Sequence, residues 1–220
     1  MGKFKYVLIL AAAFLCTALS SEAIRVPRLK YSGGGDWYNG KTEIPNLMKR
    51  FRDDFKVDVD DIDMNISAIS ADLLLYPMIF ITGHGRIVFT DLERSNLRKY
   101  AEAGGLLYID DDCGMDKFIR SELKKIFPDR ELMPLPADFP LFSIYYVFEK
   151  GIPQIHMHEE KPPEAFGIFD DNGNLMVLYT FNANISDGWD SKGVHSEDTE
   201  EIRETALRMG VNILLYSLLY

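Results

Sequence analysis

The sequence predicts an α/β fold with a doubly wound, mostly parallel sheet and an antiparallel hairpin at one edge. Three observations support this prediction. Short apolar runs without alternation, typical of strands buried on both faces, recur along the chain. Each run is followed by a polar or glycine-rich loop and then by apolar residues at helical spacing, which is the order of a strand–helix–strand unit. Later in the chain, two strand-like runs flank Asn172-Gly173, a strong hairpin signal.

The first strand and helix are predicted between residues 28 and 55. Arg28 to Ser32 alternates modestly between polar and apolar side chains and runs into Gly33-Gly34-Gly35. Thr42 then precedes Pro45, and proline is favoured in the first turn of a helix. One apolar face follows at helical spacing, formed by Leu47, Met48, Phe51 and Phe55.

A second unit begins with Pro77 to Thr82, an apolar run that ends at Gly83-His84-Gly85. Thr90 and Glu93 have the spacing of a capping box, and the helix that they begin is predicted to end at Gly104. Strand, polar loop and helix therefore recur in the same order as before.

The third unit follows directly. Gly105 to Ile109 is predicted to be a buried strand that stops at the polar cluster from Asp110 to Gly114. The next helix is expected to end before Pro128, and its apolar face is formed by Phe118, Ile119, Leu123 and Ile126.

The remaining chain closes the sheet and ends in a helix. Met133 to Phe142 is rich in proline and is predicted to be irregular. Phe166 to Phe169 and Leu175 to Phe181 are the two strands of the predicted hairpin. We expect Asp198 with Glu201 to cap the final helix, whose apolar face is formed by Ile202, Ala206, Met209, Ile213 and Tyr216.

The N-terminus has the layout of a cleavable signal peptide, residues 1–23. A basic start precedes an apolar run from Tyr6 to Leu19, and a small-x-small ending closes at Ala23. Because the apolar run is shorter than the roughly 20 residues that a membrane-spanning helix needs, we expect cleavage and no transmembrane anchor. The expected product is a single domain, residues 24–220, that is exported and either periplasmic or secreted.

Charge and cysteine content narrow the class of protein. The formal net charge is −10 at pH 7, and no basic stripe offsets it, so nucleic-acid binding is disfavoured. Cys16 would leave with the signal peptide, so the mature chain would keep Cys113 alone and could form no internal disulfide. Its core would depend on burial, which a chain of this length can provide.

In an open α/β sheet, ligands bind beyond the carboxyl ends of the strands. Four polar segments occupy such positions: residues 33–39, 82–85, 110–114 and 186–197. We expect them to be neighbours in space although they are distant in sequence. The ligand-binding residues predicted within them are Gly34, Asp36, Trp37, Tyr38, His84, Asp111, Asp112, Asp187, Trp189 and His195. The sequence leads us to assign no cofactor and no metal ion to this site.

Each segment also has a purely structural interpretation. Trp37 and Tyr38 can cap the core, and His84 can be a hydrogen-bonded loop residue. The aspartates at 110–112 can cap the following helix and interact favourably with its dipole. Trp189 can be a buried residue in the connection to the last helix.

Two further sets of residues bear on catalysis. Cys113 could act as a nucleophile with His195 as base and Glu197 as its orienting acid, although three adjacent carboxylates would raise the pKa of the thiol. His156 and His158 could present two imidazoles to a metal such as zinc. A solvated loop is favoured for them, because no further run of ligands accompanies them.

Five ordered motifs resemble the bacterial family known as domain of unknown function 4159: GGGDWY at 33–38, TGHG at 82–85, AGGLLYIDDDCG at 103–114, SDGWD at 186–190 and ALRMGVNILLY at 206–216. The resemblance covers the chain from about Arg28 to its end. It implies a flavodoxin-like α/β sandwich of the class I glutamine-amidotransferase type, and it implies little about activity.

Amidotransferases carry a nucleophilic cysteine at a sharp strand-to-helix elbow and a His-x-Glu pair later in the chain. By this resemblance the elbow falls at Asp110 or Asp111, before Cys113, whereas His195-x-Glu197 matches the later pair. A displaced thiol would not face the histidine, so the resemblance implies a scaffold without glutaminase activity.

Three functions are consistent with these features. The first is an exported domain that binds a polar small molecule, a glycan or a partner protein at the strand ends. The second is a hydrolase in the same pocket, using either Cys113, His195 and Glu197 or a metal held by aspartates and histidines. The third is an interaction module of an envelope assembly, suggested by the acidic surface and the aromatic segment 145–148.

Overall fold

A computed structural model describes residues 23–220 of the chain. The predicted signal peptide therefore lies almost entirely outside the described residues. The strands are β1 (Arg28–Lys30), β2 (Asn65–Ser67), β3 (Met78–His84), β4 (Leu106–Cys113), β5 (Met133–Pro134), β6 (Glu164–Phe169) and β7 (Leu175–Phe181). The α-helices are α1 (Glu43–Phe55), α2 (Asp91–Glu102), α3 (Asp116–Ile126) and α4 (Glu200–Leu219).

The seven strands form one sheet in the order β2-β1-β3-β4-β7-β6-β5. Neighbouring strands from β2 to β7 run parallel, whereas β6 and β5 are antiparallel to their neighbours. The predicted mostly parallel sheet with an antiparallel hairpin toward one edge is therefore confirmed. Two short strands, β2 and β5, were not predicted, and β5 lies in the stretch expected to be irregular.

The sheet is covered on both faces, as a doubly wound fold requires. Alternate strand residues separate into two cores: Met78 and Phe80 of β3 belong to one, and Ile79 and Ile81 to the other. Helices α1 and α4 cover the first core, and α2 and α3 cover the second. Because both faces are buried, the strands carry continuous apolar runs, which is why they were visible in the sequence.

The N-terminal cap of α2 is the predicted one, whereas that of α4 is not. Thr90 and Glu93 form the expected capping box at the start of α2. Helix α4 is capped by Thr199, whose hydroxyl accepts from the backbone N–H of Ile202. The prediction of Asp198 as the cap is therefore wrong, because its carboxylate is bonded to a histidine ring instead.

Strand β4 is longer than predicted. It continues through the three aspartates to Cys113 instead of stopping at Ile109. The carboxylates of Asp110, Asp111 and Asp112 are buried, with 0%, 3% and 4% of each residue exposed. Since strand residues alternate between faces, Asp110 and Asp112 point to one face of the sheet and Asp111 to the other.

Candidate functional site

All four histidines of the chain meet at the carboxyl edge of the sheet. They lie beyond the ends of β3, β4 and β7, where the sequence predicted the working surface. We call this surface the histidine rim and define it by Asp36, His84, Asp112, His156, His158, Asn184, Asp187 and His195. Five of these residues come from the four predicted segments, so the expected convergence does occur: Asp36, His84, Asp112, Asp187 and His195.

His84, at the end of β3, bridges two carboxylates. Its Nδ1 lies 3.0 Å from Asp36 Oδ2, and its Nε2 lies 3.0 Å from Asp112 Oδ2. The side chain of His84 is 48% exposed and can be reached from solvent. Burial lowers the pKa of His84, but the charges of Asp112 and Asp36 outweigh it and raise this pKa above its usual value.

Gly83 allows this contact to form. Its φ is +131°, a conformation that favours glycine, and a Cβ at this position would clash with the Tyr31 hydroxyl and make a tight contact with Asp36. The backbone N–H of His84 donates to Asp36 Oδ1 at 2.5 Å. This hydrogen bond and the imidazole outweigh burial and hold the pKa of Asp36 below its usual range.

Asn184 joins the two central carboxylates of the histidine rim. Its Nδ2 lies 2.9 Å from Asp112 Oδ1, 3.0 Å from Asp187 Oδ2 and 2.6 Å from His158 Nε2. Asn39 donates to the other oxygen of Asp112 at 2.7 Å. Burial and the nearby charge of Asp187 raise the pKa of Asp112 to about 6.

His156 is held between two further carboxylates. Its Nδ1 lies 3.0 Å from Asp187 Oδ2 and its Nε2 lies 2.7 Å from Asp198 Oδ1. The hydrogen bond to Asp187 is the largest cause that raises the pKa of His156 to about 9. His156 is only 9% exposed, so the favoured interpretation of residues 156–160 as a solvated loop is wrong for this residue.

Asp187 lies beside this histidine on a short 3-10 turn, Asp187–Trp189, that Asp110 fixes in place. Asp110 accepts from the backbone N–H of Ser186 at 2.6 Å and from the Thr180 hydroxyl at 2.5 Å. The hydrogen bonds made by His156 and Asn184 outweigh burial and lower the pKa of Asp187. The side chain of Asp110 is therefore part of the support for the site.

Two predicted ligand contacts require correction. Asp111 faces the opposite side of β4, where its oxygens accept from the Met115 backbone N–H at 2.9 Å and from the Tyr179 hydroxyl at 3.2 Å. It thus binds the start of α3 and does not join His84 and Asp187. Trp189 is completely buried, and its Nε1 donates to the carbonyl of Ala206.

The glycine-rich loop lies beside Asp36. Gly34 has φ +98°, and a Cβ there would meet open space. Trp37 is partly buried against the core under α2 and α3, and Tyr38 packs edge-on against it at 5.5 Å between ring centroids. Tyr38 is 59% exposed, so this loop offers one accessible aromatic ring close to the histidine rim.

Cys113, His195 and Glu197 each contact different groups. Burial and the charges of Asp111, Asp112 and Glu159 raise the pKa of the exposed Cys113 thiol. His195 Nε2 lies 3.4 Å from Asp190 Oδ2. Glu197 accepts from the hydroxyl of Ser196 at 3.2 Å. The carboxylate beside His195 is therefore Asp190 and not Glu197.

The turn from β4 to α3 also falls later than expected. It lies at Cys113–Met115 and not at Asp110 or Asp111, because β4 continues to Cys113. Gly114 has φ +73° within this turn. Among the described residues, the non-glycine residues with positive φ are Lys56, Asn182 and Asn184, so Cys113 has an ordinary backbone conformation.

Two overlapping groups at the histidine rim have the composition of metal ligands. One comprises His156, Asp187 and His195, and the other comprises Asp112, His158 and Asp187; in each, the possible ligand atoms lie within 4.8 Å of one another. Asp187 belongs to both groups. His156 and His158 were noted in the sequence as a possible pair, but the fold assigns them to different groups.

Comparison with protein families identifies the chain. The model of the family described as domain of unknown function (DUF4159) matches residues 25–218, so the chain belongs to this family. The search of curated proteins finds no match. Within residues 23–220, no helix combines the length and the apolar character needed to cross a membrane.

Proposed function

We propose that this chain is an exported binding domain that holds a neutral polar ligand, such as a glycan, at the histidine rim. The observation that carries the proposal is the convergence of four imidazoles with buried carboxylates at the carboxyl edge of a mostly parallel sheet. In open α/β sheets this edge is where ligands bind. Alternative ligands are another polar small molecule or a polar segment of an envelope protein.

The charges favour a neutral or cationic ligand. Asp36, Asp112 and Asp187 form their ion pairs within residues 23–220 with histidines, not with lysine or arginine. An anionic ligand such as a phosphate would meet repulsion from these carboxylates. Sugar hydroxyls can donate to carboxylates and accept from imidazoles, and the exposed ring of Tyr38 offers a surface for a sugar face.

We further propose a class I amidotransferase-like scaffold that has no glutaminase activity. The mostly parallel sheet with helices on both faces supports the scaffold. At a nucleophile elbow, the catalytic side chain occupies a sharp, strained turn between a strand and a helix. Here the residue with positive φ in the turn after β4 is Gly114, which has no side chain to act as a nucleophile.

The binding proposal is tested with His84→Ala. Because His84 is half-exposed, its replacement should change the melting temperature by no more than a few degrees. We expect wild-type protein to bind members of an array of neutral oligosaccharides, and His84→Ala to bind the same members at least about tenfold more weakly. Arg98→Ala is the control, because Arg98 bonds the C-terminal end of α3 at the opposite edge of the sheet.

Two results would contradict the proposal. One is wild-type protein that binds no neutral oligosaccharide, and the other is equal binding by wild-type protein and His84→Ala. A hydrolase dependent on Cys113 is tested separately with Cys113→Ala, which should leave ligand binding and any ligand turnover unchanged. Loss of turnover in that variant would favour the hydrolase over the binding domain.

Export is part of the proposal and has its own support, the tripartite N-terminal pattern. Cell fractionation should recover the protein outside the cytoplasm. Sequencing of its N-terminus should begin at Ile24 if cleavage follows Ala23. Recovery of the uncleaved chain from the cytoplasm would overturn this part alone.

A further inference from the structure

The side-chain amide of Asn184 makes more acceptor contacts than its hydrogens can satisfy. Its Nδ2 lies within 3.0 Å of Asp112 Oδ1, Asp187 Oδ2 and His158 Nε2. An amide nitrogen has two hydrogens, so it cannot donate to two carboxylate oxygens and to an imidazole nitrogen at once. Asn184 is fully buried, and its Oδ1 has no hydrogen-bond partner among the described residues.

A half-turn about the last side-chain bond of Asn184 would remove the excess of contacts around its nitrogen. It exchanges Nδ2 for Oδ1 with little change of shape, since the two ends of an amide are nearly equal in size. The oxygen would then face Asp112, Asp187 and His158. The Asn184 oxygen, one oxygen each of Asp112 and Asp187, and one nitrogen of His158 would then lie close together. Atoms of this kind, each with a lone pair, are the ligands that a metal ion binds.

The two buried carboxylates of Asp112 and Asp187 also favour a bound cation. Asp112 and Asp187 are 4% and 5% exposed, and their ligand atoms lie within 4.8 Å of each other. No lysine or arginine of residues 23–220 forms an ion pair with either carboxylate. A divalent ion would neutralise two buried like charges that otherwise repel each other.

The surroundings hold these ligands as outer-shell groups do in metal sites. Asn39 and His84 contact the second oxygen of Asp112 at 2.7 and 3.0 Å. His156 contacts Asp187 and is itself held by Asp198. Ligating carboxylates in metal sites are oriented by such hydrogen bonds.

The second possible group, His156, Asp187 and His195, is less suited to an ion. Both nitrogens of His156 are already within 3.0 Å of carboxylate oxygens, so no lone pair is left for a metal without breaking one of these contacts. His158 is different. Its contact to the group is the Asn184 amide, and its side chain is 36% exposed.

We propose that Asp112, His158 and Asp187 bind one divalent ion of the first transition row, with Asn184 Oδ1 as the fourth ligand. One imidazole among oxygen ligands suits Mn²⁺ or Zn²⁺. The inference deepens the proposed function, because the ion would lie in the same rim as the ligand. Four protein ligands would complete a tetrahedral zinc site, whereas an octahedral ion such as Mn²⁺ would keep two positions for water or for a ligand hydroxyl.

The test uses metal alone as the probe. Purified protein is treated with EDTA, dialysed, and titrated with ZnCl₂ or MnCl₂ by calorimetry, and the melting temperature is measured with and without the metal. We expect one ion per chain and a higher melting temperature with metal, because a ligand of the native state stabilises it. Protein purified without chelator should contain the ion by elemental analysis.

Two substitutions locate the ion. His158→Ala, in a partly exposed loop, should weaken the metal affinity at least about tenfold while the metal-free melting temperature stays close to that of the wild type. His195→Ala is the matched control, because it removes an imidazole of the same rim that belongs to the other group. It should leave metal affinity unchanged.

Three results would overturn the metal site: no binding of either metal by the wild type, equal affinity in wild type and His158→Ala, or loss of binding in His195→Ala. Asn184→Ala gives a second variant should His158→Ala unfold, and it should also bind metal more weakly. Oligosaccharide binding measured in EDTA separates the two proposals, since the binding domain can stand if the metal site fails.

Discussion

Two glutamate–arginine pairs on opposite faces of the sheet respond differently to burial. Glu43 pairs with Arg28 at 3.0 Å, and Glu122 pairs with Arg94 at 2.8 Å. Burial raises the pKa of Glu43 well above its usual value in spite of Arg28. Burial acts in the same direction on Glu122, but Arg94 and Lys125 outweigh it and lower that pKa.

The difference lies in the number of partners and their exposure. Arg28 and Glu43 both have side chains 1% exposed, so both ions lose their hydration. Glu122 has two cationic partners, Arg94 and Lys125, whose side chains are 18% and 51% exposed. Proximity to an opposite charge is therefore not enough to lower the pKa of a fully buried carboxylate.

The position of Glu43 adds to this effect. The charges of Asp190 and Asp187 raise its pKa further, so the acidic edge of the sheet influences the core under α1. Glu122 has no such neighbours among the causes of its shift. Glu43 therefore lies within the electrostatic field of the acidic edge, whereas Glu122 belongs to an ion-pair network with Arg94 and Lys125 on the other face.

The largest effect is expected from breaking the more buried pair. Arg28→Met leaves Glu43 in the core without its cationic partner, which should lower the free energy of unfolding by about 3 kcal/mol. Urea denaturation near neutral pH measures this change. The loss should be smaller at acidic pH, where Glu43 becomes neutral.

A double variant provides the control. Arg28→Met with Glu43→Leu replaces the pair by apolar side chains and should restore most of the lost stability, because neither residue then leaves an unpaired buried charge. If the double variant were as unstable as Arg28→Met alone, lost packing and not lost pairing would be the cause.

The second prediction concerns Arg94→Met. Glu122 would keep Lys125 and the Phe89 backbone N–H as donors, so the expected loss is about 2 kcal/mol, the scale of hydrogen bonds to a charged group. The same urea experiment measures it. A loss greater than that of Arg28→Met would reverse the comparison between the two faces.

The sequence predicted most of the fold because buried strands and capped helices leave strong local patterns. It did not predict where β4 ends. Three consecutive aspartates have the composition of a loop. Only the fold shows that Ser186, Asn39 and Met115 donate hydrogen bonds to the three carboxylates, which allows them to lie within a strand. With the strand end misplaced, Asp111 was chosen as a contact along with Asp112.

The histidine rim was predicted in part for the same reason. The rule that parallel strands end at one edge brought Asp36, His84 and Asp187 together correctly. His156 lies in the long connection between β5 and β6. Because this connection does not follow a parallel strand, the rule gives no position for it. Trp189 shares a motif with Asp187 but is turned into the core, where its ring lies 5.5 Å from that of Phe80.

The third prediction uses pH to separate the two glutamates. The folded-state pKa of Glu43 is raised, so its stabilising contribution is present below the unfolded value, about 4.5, and is lost as the pH rises through the folded pKa. The folded-state pKa of Glu122 is lowered, so its contribution is present above that value and is lost as the pH falls.

Glutamine substitutions test these opposite signs. Compared with the wild type, Glu43→Gln should remove a decline in stability toward alkaline pH, and Glu122→Gln should remove a decline toward acidic pH. Urea midpoints measured across about pH 3 to 9 give both slopes. If both substitutions changed the pH dependence of stability in the same direction, the number of cationic partners would not be what sets the direction of the pKa shift of each glutamate.

The smallest effect is expected at a third pair on the same helix as Arg94. Arg98 pairs with Asp129 at 2.6 Å, but the carboxylate side chain is 53% exposed and already hydrated. Arg98→Met should therefore shift the urea midpoint less than Arg94→Met does. The shift should vanish in about 1 M salt, where the screening length falls to roughly 3 Å, whereas the effect of Arg94→Met should persist because Glu122 is buried. Equal salt sensitivity of the two variants would mean that burial of the carboxylate is not what separates these pairs.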